Sequence, residues 1–250
     1  MAPYLATATN GVFELRTDTV GRIPLYHAVD PAVGNPTLSF ERLAAEAEII
    51  GFFSDLYGPY PFSTGGGVVD NGGVGYALES QTKSMYDVQF NPNGAPGAST
   101  VVHEVAHQWL GNAVTLTVWP DIWLNEGFAT WSEWIYSERH GGPTAAEQFD
   151  TEFARPATSS FWRNPPAALS GPDVMFTAPP YDRGAMTLQA LREKVGDSVF
   201  FDILRQWYAD NRYGNVTTAD FIALAERQSG QQLDSFFDIW LYRPVKPTTW

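Results

Sequence analysis

The segment VVHEVAHQWLGNAV, residues 101–114, constrains this chain more than any other, because it holds two of the four histidines at a spacing of four. On an α-helix, residues i and i+4 lie one turn apart on the same face. His103 and His107 are therefore predicted to direct their rings at one point, where two nitrogens can bind a single metal ion. Glu104 lies far enough round the helix to miss that ion, yet near enough to reach a water molecule bound to it. The alternative is a helix that contains two structural histidines.

A third ligand is required, because a catalytic zinc site takes three protein ligands and leaves a fourth position for water. The chain has no cysteine, so a His, Asp or Glu from a second element must supply it. Glu126 follows His107 with eighteen residues between them and lies in DIWLNEGFATWSEW, which is predicted to be another helix. This H-E-x-x-H-x18-E spacing is the gluzincin pattern, and it predicts one zinc ion per chain; cobalt and manganese are alternative occupants.

Composition excludes several other classes of protein. With 44% hydrophobic, 14% aromatic and only 17% charged residues, the chain is predicted to be globular rather than disordered. A net charge of −13 argues against a nucleic-acid partner, since binding to phosphates needs clustered Lys and Arg. No apolar run reaches the length of a membrane span. Cytoplasmic and secreted locations both stay open.

The order of predicted elements indicates an α+β fold. The residue patterns predict two strands around a turn at Gly21 in residues 11–29 and a helix in residues 37–57. They predict a sheet with a loop in residues 61–90. The rest of the chain is predicted to be mostly helical, including a helix from about Ser99 or Thr100 to Gly111 and one from about Asp121 to His140. We expect a single catalytic domain, 1–250, with a strand-rich lobe (1–98) and a helical lobe (99–250) that carries the zinc helices.

Four blocks, in order, resemble the catalytic domain of M1-family zinc aminopeptidases. GYALESQT, residues 75–82, resembles the family's G-x-M-E-N motif; HEVAH and WLNEGFAT come next; YDRGA, residues 181–185, resembles its tyrosine motif. The resemblance extends from about residue 36 to the end. It departs at Tyr76, where the family has Gly, and at Ser80, where it has Asn. It implies a thermolysin-like fold, and it leads us to expect a β-rich N-terminal domain that this chain lacks.

The resemblance also implies roles for single residues. Glu104 is expected to act as the general base, and Tyr181 to donate a hydrogen bond to the oxyanion. Glu79 is expected to bind the free α-ammonium of a peptide. The backbone of Gly73, Gly75, Tyr76 and Ala77 is expected to pair with the main chain of the substrate.

Zinc-binding histidines usually donate their second ring nitrogen to another protein group. Glu133 or Asn125 is a hypothesis for that partner, with a solvated Glu133 as the alternative. The predicted reaction is the release of N-terminal residues from peptides that have a free N-terminus. The alternatives are a zinc endopeptidase and a catalytically incomplete zinc- or peptide-binding domain that needs its N-terminal domain.

Overall fold

Five strands form a mixed sheet in the first of the two units into which the chain divides, Met1–Ala113 and Val114–Trp250. The computed structural model describes residues 1–89 and 91–249. The strands of this sheet are β1 (Glu14–Val20), β2 (Ile23–Val29), β3 (Gly67–Asp70), β4 (Ala77–Leu78) and β5 (Ser84–Asp87). The predicted hairpin at residues 11–29 is present, with Gly21 at φ 59° in the turn between β1 and β2.

The strand order is β1-β2-β3-β5-β4, with β1–β2 and β5–β4 antiparallel and the central pairs parallel. β4 therefore lies at one edge of this sheet. Because β4 directly precedes Glu79, the edge strand carries the chain to one of the predicted site residues.

Helices of the first unit pack on this sheet, and they are α1 (Pro36–Ala44), α2 (Glu46–Tyr57) and α3 (Ala98–Ala106). The predicted helix over 37–57 is thus two helices that meet at Ala45, and Gly58, at φ 123°, ends the second. The buried Trp109 ring stands edge-on to Phe53 of α2, and its Nε1 donates to the Gly58 carbonyl at 2.8 Å. The end of α2 and the residues after α3 therefore share one core.

The prediction that the histidine helix extends to Gly111 was wrong, because α3 ends at Ala106. The residues after it form tight turns, in which Gln108 N–H and Trp109 N–H donate to carbonyls only three residues earlier. His107 caps the helix and keeps helical dihedral angles (φ −56°, ψ −24°). The i, i+4 relation of the two histidines therefore survives the early end of the helix.

The second unit is mainly helical. Its helices are α4 (Trp123–Arg139), α5 (Ala145–Phe153), α6 (Gly184–Val195), α7 (Asp197–Asn211), α8 (Thr218–Ser229) and α9 (Asp234–Phe237). A parallel pair of short strands, β6 (Val114–Leu116) and β7 (Gly214–Val216), completes it.

Aromatic side chains form the core of the second unit. The Phe221 ring lies 5.2–5.9 Å from the rings of Trp123, Phe128 and Trp207. The Phe and Trp residues of FATWSEWIY are buried, with Phe128 and Trp131 fully so and Trp134 6% exposed. Helix α4 is thus held by large apolar contacts along most of its length, which gives the residues of its first turn a rigid base.

The α+β prediction is confirmed by the mixed sheet and the helices. By its contacts, α3 belongs to the first unit. The predicted division into a strand-rich lobe (1–98) and a helical lobe (99–250) is a different division, and it stays a prediction. In the described residues, no helix combines the length and the apolar character needed to cross a membrane.

Candidate active site

Helix α3 and its capping residue, His107, carry the two histidines, and residues 101–110 around them are all buried. Val101, Val102 and Val105 are among its buried residues, and the polar side chains between them are nearly as inaccessible. The ring centroids of His103 and His107 lie 4.7 Å apart at an interplanar angle of 78°. The helix therefore brings both imidazoles together inside the protein, as their spacing predicted.

The second ring nitrogen of His107 has a backbone partner. Its Nδ1 lies 3.0 Å from the carbonyl oxygen of Leu110, so we assign the proton of a neutral ring to Nδ1. The lone pair of that tautomer is on Nε2, which is the form that binds a metal ion. Leu110 could not be predicted from the sequence, because any residue supplies a carbonyl. The hypothesis that Glu133 or Asn125 is the partner of a ligand histidine stays a prediction.

Glu79 and Glu104 meet beside His107 within the first unit. One carboxylate oxygen of each glutamate and one ring nitrogen of His107 all lie within 4.8 Å of one another. All three side chains are buried, with Glu79 and Glu104 each 6% exposed. The predicted amine anchor and the predicted general base are therefore neighbours in the structure.

Two amide side chains fix the main chain at Glu79. Asn112 Nδ2 donates to the Glu79 carbonyl at 2.7 Å, and Gln108 Nε2 lies 3.4 Å from the same oxygen. Gln108 Oε1 accepts from Thr82 N–H at 2.8 Å, where the chain turns through a positive φ of 67°. Both amides belong to the segment HQWLGN that begins at the end of α3. Neither was predicted from the sequence, although amides next to a metal-site motif are a usable signal.

The predicted substrate edge forms a loop that ends in β4. Gly73 and Gly75 have φ values of 77° and 80°, a region that favours glycine. Gly75 N–H donates to Asp87 Oδ2 at 2.7 Å, and Asp87 N–H donates to the Tyr76 carbonyl at 3.3 Å. Ala77 pairs with β5, so the opposite edge of β4 carries no strand among the described residues. Tyr76 is 56% exposed.

Asp87 contributes to the conformation of this loop through its charge. Burial alone would raise its pKa, but backbone N–H groups of Gln89 and of residues 73–75 lower the pKa of this carboxyl below its usual value. An ionised Asp87 therefore holds the glycine loop at neutral pH.

In the second unit, Glu126 and Tyr181 lie on segments that contact each other. Glu126 is buried in the first turn of α4, beside the buried Asn125, and the partly exposed Glu133 lies two turns further along. Tyr181 lies in a π-helical turn, Pro179–Arg183, which leads into α6; such turns are frequent at functional sites.

A pair of glycines permits this contact. A Cβ added to Gly127 would lie 2.8 Å from the Gly184 Cα and 3.2 Å from the Pro180 carbonyl. The segments WLNEG and YDRG therefore approach backbone to backbone, which only glycine allows at this distance. Both segments were recognised in the sequence, but the contact between their glycines was not predicted.

Arg183 anchors the turn that carries Tyr181. Its guanidinium is fully buried and donates to the carbonyls of Trp162, Ile239 and Arg243 at 3.1, 2.9 and 2.7 Å. Burial lowers the pKa of Arg183 to about 10, so it stays charged at neutral pH. The position of Tyr181 is thus tied to the C-terminal part of the chain.

Comparison with known proteins agrees with this arrangement of motifs. The model of the Peptidase family M1 domain matches residues 85–240, more than half of the chain. Aminopeptidase M1 of Arabidopsis thaliana is 28% identical over an alignment of 267 positions, gaps included, that covers 96% of this chain and 29% of that protein. The mitochondrial aminopeptidase 2 of Saccharomyces cerevisiae is 34% identical over an alignment of 152 positions that covers 57% of this chain and 16% of that protein.

The M1 zinc metallopeptidase of Deinococcus radiodurans superposes with a TM-score of 0.82 at 27% identity, over 95% of this chain and 54% of that one. The chain thus spans less than a third of these two curated relatives and about half of the solved structure. By its family match and its ordered motifs, the chain belongs to peptidase family M1.

Proposed function

We propose that this chain is the catalytic domain of a zinc aminopeptidase, which hydrolyses the first peptide bond of a peptide with a free N-terminus. The names of the relatives support this activity class. The observation that carries the proposal is the meeting of Glu79, Glu104 and His107 within 4.8 Å.

The distance matters because of the geometry of an N-terminal residue. Its α-nitrogen and its carbonyl carbon are about 2.5 Å apart, since only Cα separates them. An enzyme that removes one residue must therefore bind the ammonium close to the group that handles the attacking water. Glu79 beside Glu104 meets this requirement, whereas an endopeptidase needs no buried carboxylate at that position.

The donor set fits zinc. His103 and His107 supply two buried imidazoles, and the Nδ1 contact of His107 leaves its Nε2 lone pair for a metal. We propose Glu126 as the third ligand, on its spacing from His107. Zinc held there would supply a Lewis acid that polarises the scissile carbonyl and lowers the pKa of a bound water to about 7.

Other residues of the chain bind the substrate, transfer the proton and stabilise the negative charge that develops. Glu79 pairs with the α-ammonium and sets which bond is cut. Glu104 accepts a proton from the attacking water and delivers it to the leaving nitrogen as the C–N bond breaks. Tyr181 donates a hydrogen bond from its hydroxyl group to the carbonyl oxygen of the scissile bond, which becomes negative. The open edge of β4 pairs with the main chain of the substrate.

A pentapeptide with five different residues tests this function. We expect mass spectrometry to find the first amino acid and the tetrapeptide as initial products, and then stepwise shortening from the N-terminus. A chelator should abolish the reaction and added zinc should restore it. Internal cleavage as the initial event would identify an endopeptidase. Unchanged cleavage after complete removal of the metal would refute the zinc mechanism.

A further inference from the structure

Glu79 has a hydrogen-bond partner from the N-terminal segment. The Tyr4 hydroxyl donates to Glu79 Oε1 at 2.8 Å, across 75 residues of sequence. Glu79 is nearly inaccessible, so this bond lies next to the cluster that Glu79 forms with Glu104 and His107. The bond acts on the Glu79 carboxylate itself, whereas the amide contacts of Gln108 and Asn112 act on its backbone.

The segment that carries Tyr4 is itself anchored. Residues Pro3–Leu5 form a short 3-10 helix, and the Leu5 side chain is 1% exposed. The Leu5 carbonyl accepts from Gln81 N–H at 3.0 Å, two residues after Glu79. Tyr4 is therefore attached to the stretch of chain that bears Glu79 by a backbone bond as well as by its own hydroxyl.

These contacts divide the control of Glu79 into two parts. The bond from Asn112 Nδ2 to the Glu79 carbonyl fixes the backbone of Glu79. It does not fix the torsion angles of the Glu79 side chain. The terminal torsion of a glutamate is broad, so a carboxylate needs an outside partner to hold one orientation. An ionised carboxylate accepts about four hydrogen bonds, and the bond from Tyr4 uses one of them.

We propose that Tyr4 is a positioning residue for substrate recognition: its hydroxyl orients the Glu79 carboxylate so that the remaining acceptor sites receive the α-ammonium of the peptide. This inference rests on the proposed function, because it takes Glu79 as the amine anchor. It assigns part of the amine specificity to the N-terminal turn, a segment in which the sequence shows no motif.

Binding of leucinol tests the inference without relying on turnover. Leucinol has a free amine next to a leucine side chain and no hydrolysable bond, and N-acetylleucinol is its blocked counterpart. The dissociation constants are measured by calorimetry for the zinc-loaded full chain, for Tyr4→Phe, for Glu79→Gln and for the double variant. Tyr26→Phe is the matched control, because Tyr26 is a half-exposed tyrosine of the same unit.

We expect Tyr4→Phe to weaken leucinol binding about tenfold, the effect of a hydrogen bond to a charged group, and Tyr26→Phe to have no effect. In the Glu79→Gln background, loss of the Tyr4 hydroxyl should change the constant less than about twofold, since a positioning residue acts only through the group it positions. Equal losses in both backgrounds, with a lowered Tm, would show a merely structural role and overturn the inference.

The two proposals fail in different ways. If the unsubstituted chain binds leucinol no more tightly than N-acetylleucinol, the amine site itself is refuted, and the role of Tyr4 with it. If the chain prefers the free amine but Tyr4→Phe binds leucinol as tightly as the parent, only the role of Tyr4 is refuted.

Discussion

Glu104 shows how burial suits one residue to its proposed task. It lies on α3 between the two histidines, 6% exposed, with its carboxylate beside the Glu79 carboxylate and the His107 ring. A carboxylate held away from bulk water exchanges protons with the reacting groups rather than with solvent. The same three side chains also form a donor set that a cation fits, so the role of Glu104 as a base has to be separated from a role as a ligand.

Glu104→Gln makes that separation. We expect kcat to fall by about 10²–10⁴, the usual contribution of a general base, while the zinc content stays at one per chain. Glu41→Gln, at an exposed position on α1, is the control. Loss of zinc from the Glu104 variant would instead show that this carboxylate is a metal ligand. A kcat within about threefold of the parent value would refute the role of Glu104 as general base.

At the scale of elements, the contact between α4 and the turn before α6 depends on two glycines. Gly127 comes directly after the proposed ligand Glu126, and Gly184 comes directly after the turn that holds Tyr181. Since the backbones meet at these glycines, neither segment can shift without the other. The proposed ligand and the proposed oxyanion donor are thereby kept in fixed relation within the second unit.

Gly127→Ala should break this contact. The new Cβ would lie 2.8 Å from the Gly184 Cα, which is backbone and cannot rotate away. We expect the free energy of unfolding to fall by about 1–3 kcal/mol, the usual cost of overpacking. Gly51→Ala on α2 is the control, because its Cβ meets nothing within 4 Å. It should raise stability by up to about 1 kcal/mol through helix propensity. Equal effects in denaturant unfolding would contradict the proposed contact.

The sequence predicted the parts of the site that local spacing encodes. His103, Glu104 and His107 follow from one helical turn, and the role proposed for each depends on its own position on that turn. Tyr4 and Asn112 contact Glu79 from 75 and 33 residues away along the chain. The periodicity of a sequence does not predict such long-range contacts. The end of α3 was misplaced for a related reason: the residues after Ala106 leave the helix as the Gln108 and Asn112 side chains bond the Glu79 segment.

At the scale of the whole molecule, stability depends on pH through a buried acid–base pair. Glu46 is 1% exposed, and burial raises its pKa to about 8, although the charge of Lys83 opposes this. Burial lowers the pKa of His27 to about 4, opposed by the charge of Asp18. His27 Nδ1 lies 4.0 Å from Glu46 Oε2. At pH 7 the two are therefore a protonated acid and a neutral imidazole, not an ion pair, beside the buried phenol of Tyr86.

The signs of the two contributions differ. Between about pH 4 and 6.5 the unfolded chain binds more protons at His27 than the folded chain, so this group makes stability rise with pH. Between about pH 4.5 and 8 the folded chain binds more protons at Glu46, so that group makes stability fall as pH rises. Above about pH 6.5 only the Glu46 contribution of this pair still changes, which isolates it for measurement.

Glu46→Gln should flatten the stability curve between about pH 6.5 and 8. Glutamine has nearly the shape of the protonated acid and does not titrate, so a decline of roughly 1–2 kcal/mol in the parent should be lost in the variant. Urea unfolding at several pH values measures it, with Glu41→Gln as the exposed control. A decline in stability of the same size in both variants would show that Glu46 does not cause it.

Glu79 is the residue proposed to make this an aminopeptidase site. The most direct test compares kcat/KM for a leucyl anilide with that for its N-acetylated counterpart, in the parent chain and in Glu79→Gln. We predict a preference for the free amine of at least about a hundredfold in the parent, because the blocked substrate brings no ammonium to the buried Glu79 carboxylate. In Glu79→Gln the preference should fall to within about tenfold. Equal use of both substrates by the parent, or an unchanged preference in the variant, would contradict the role of Glu79 as the amine anchor.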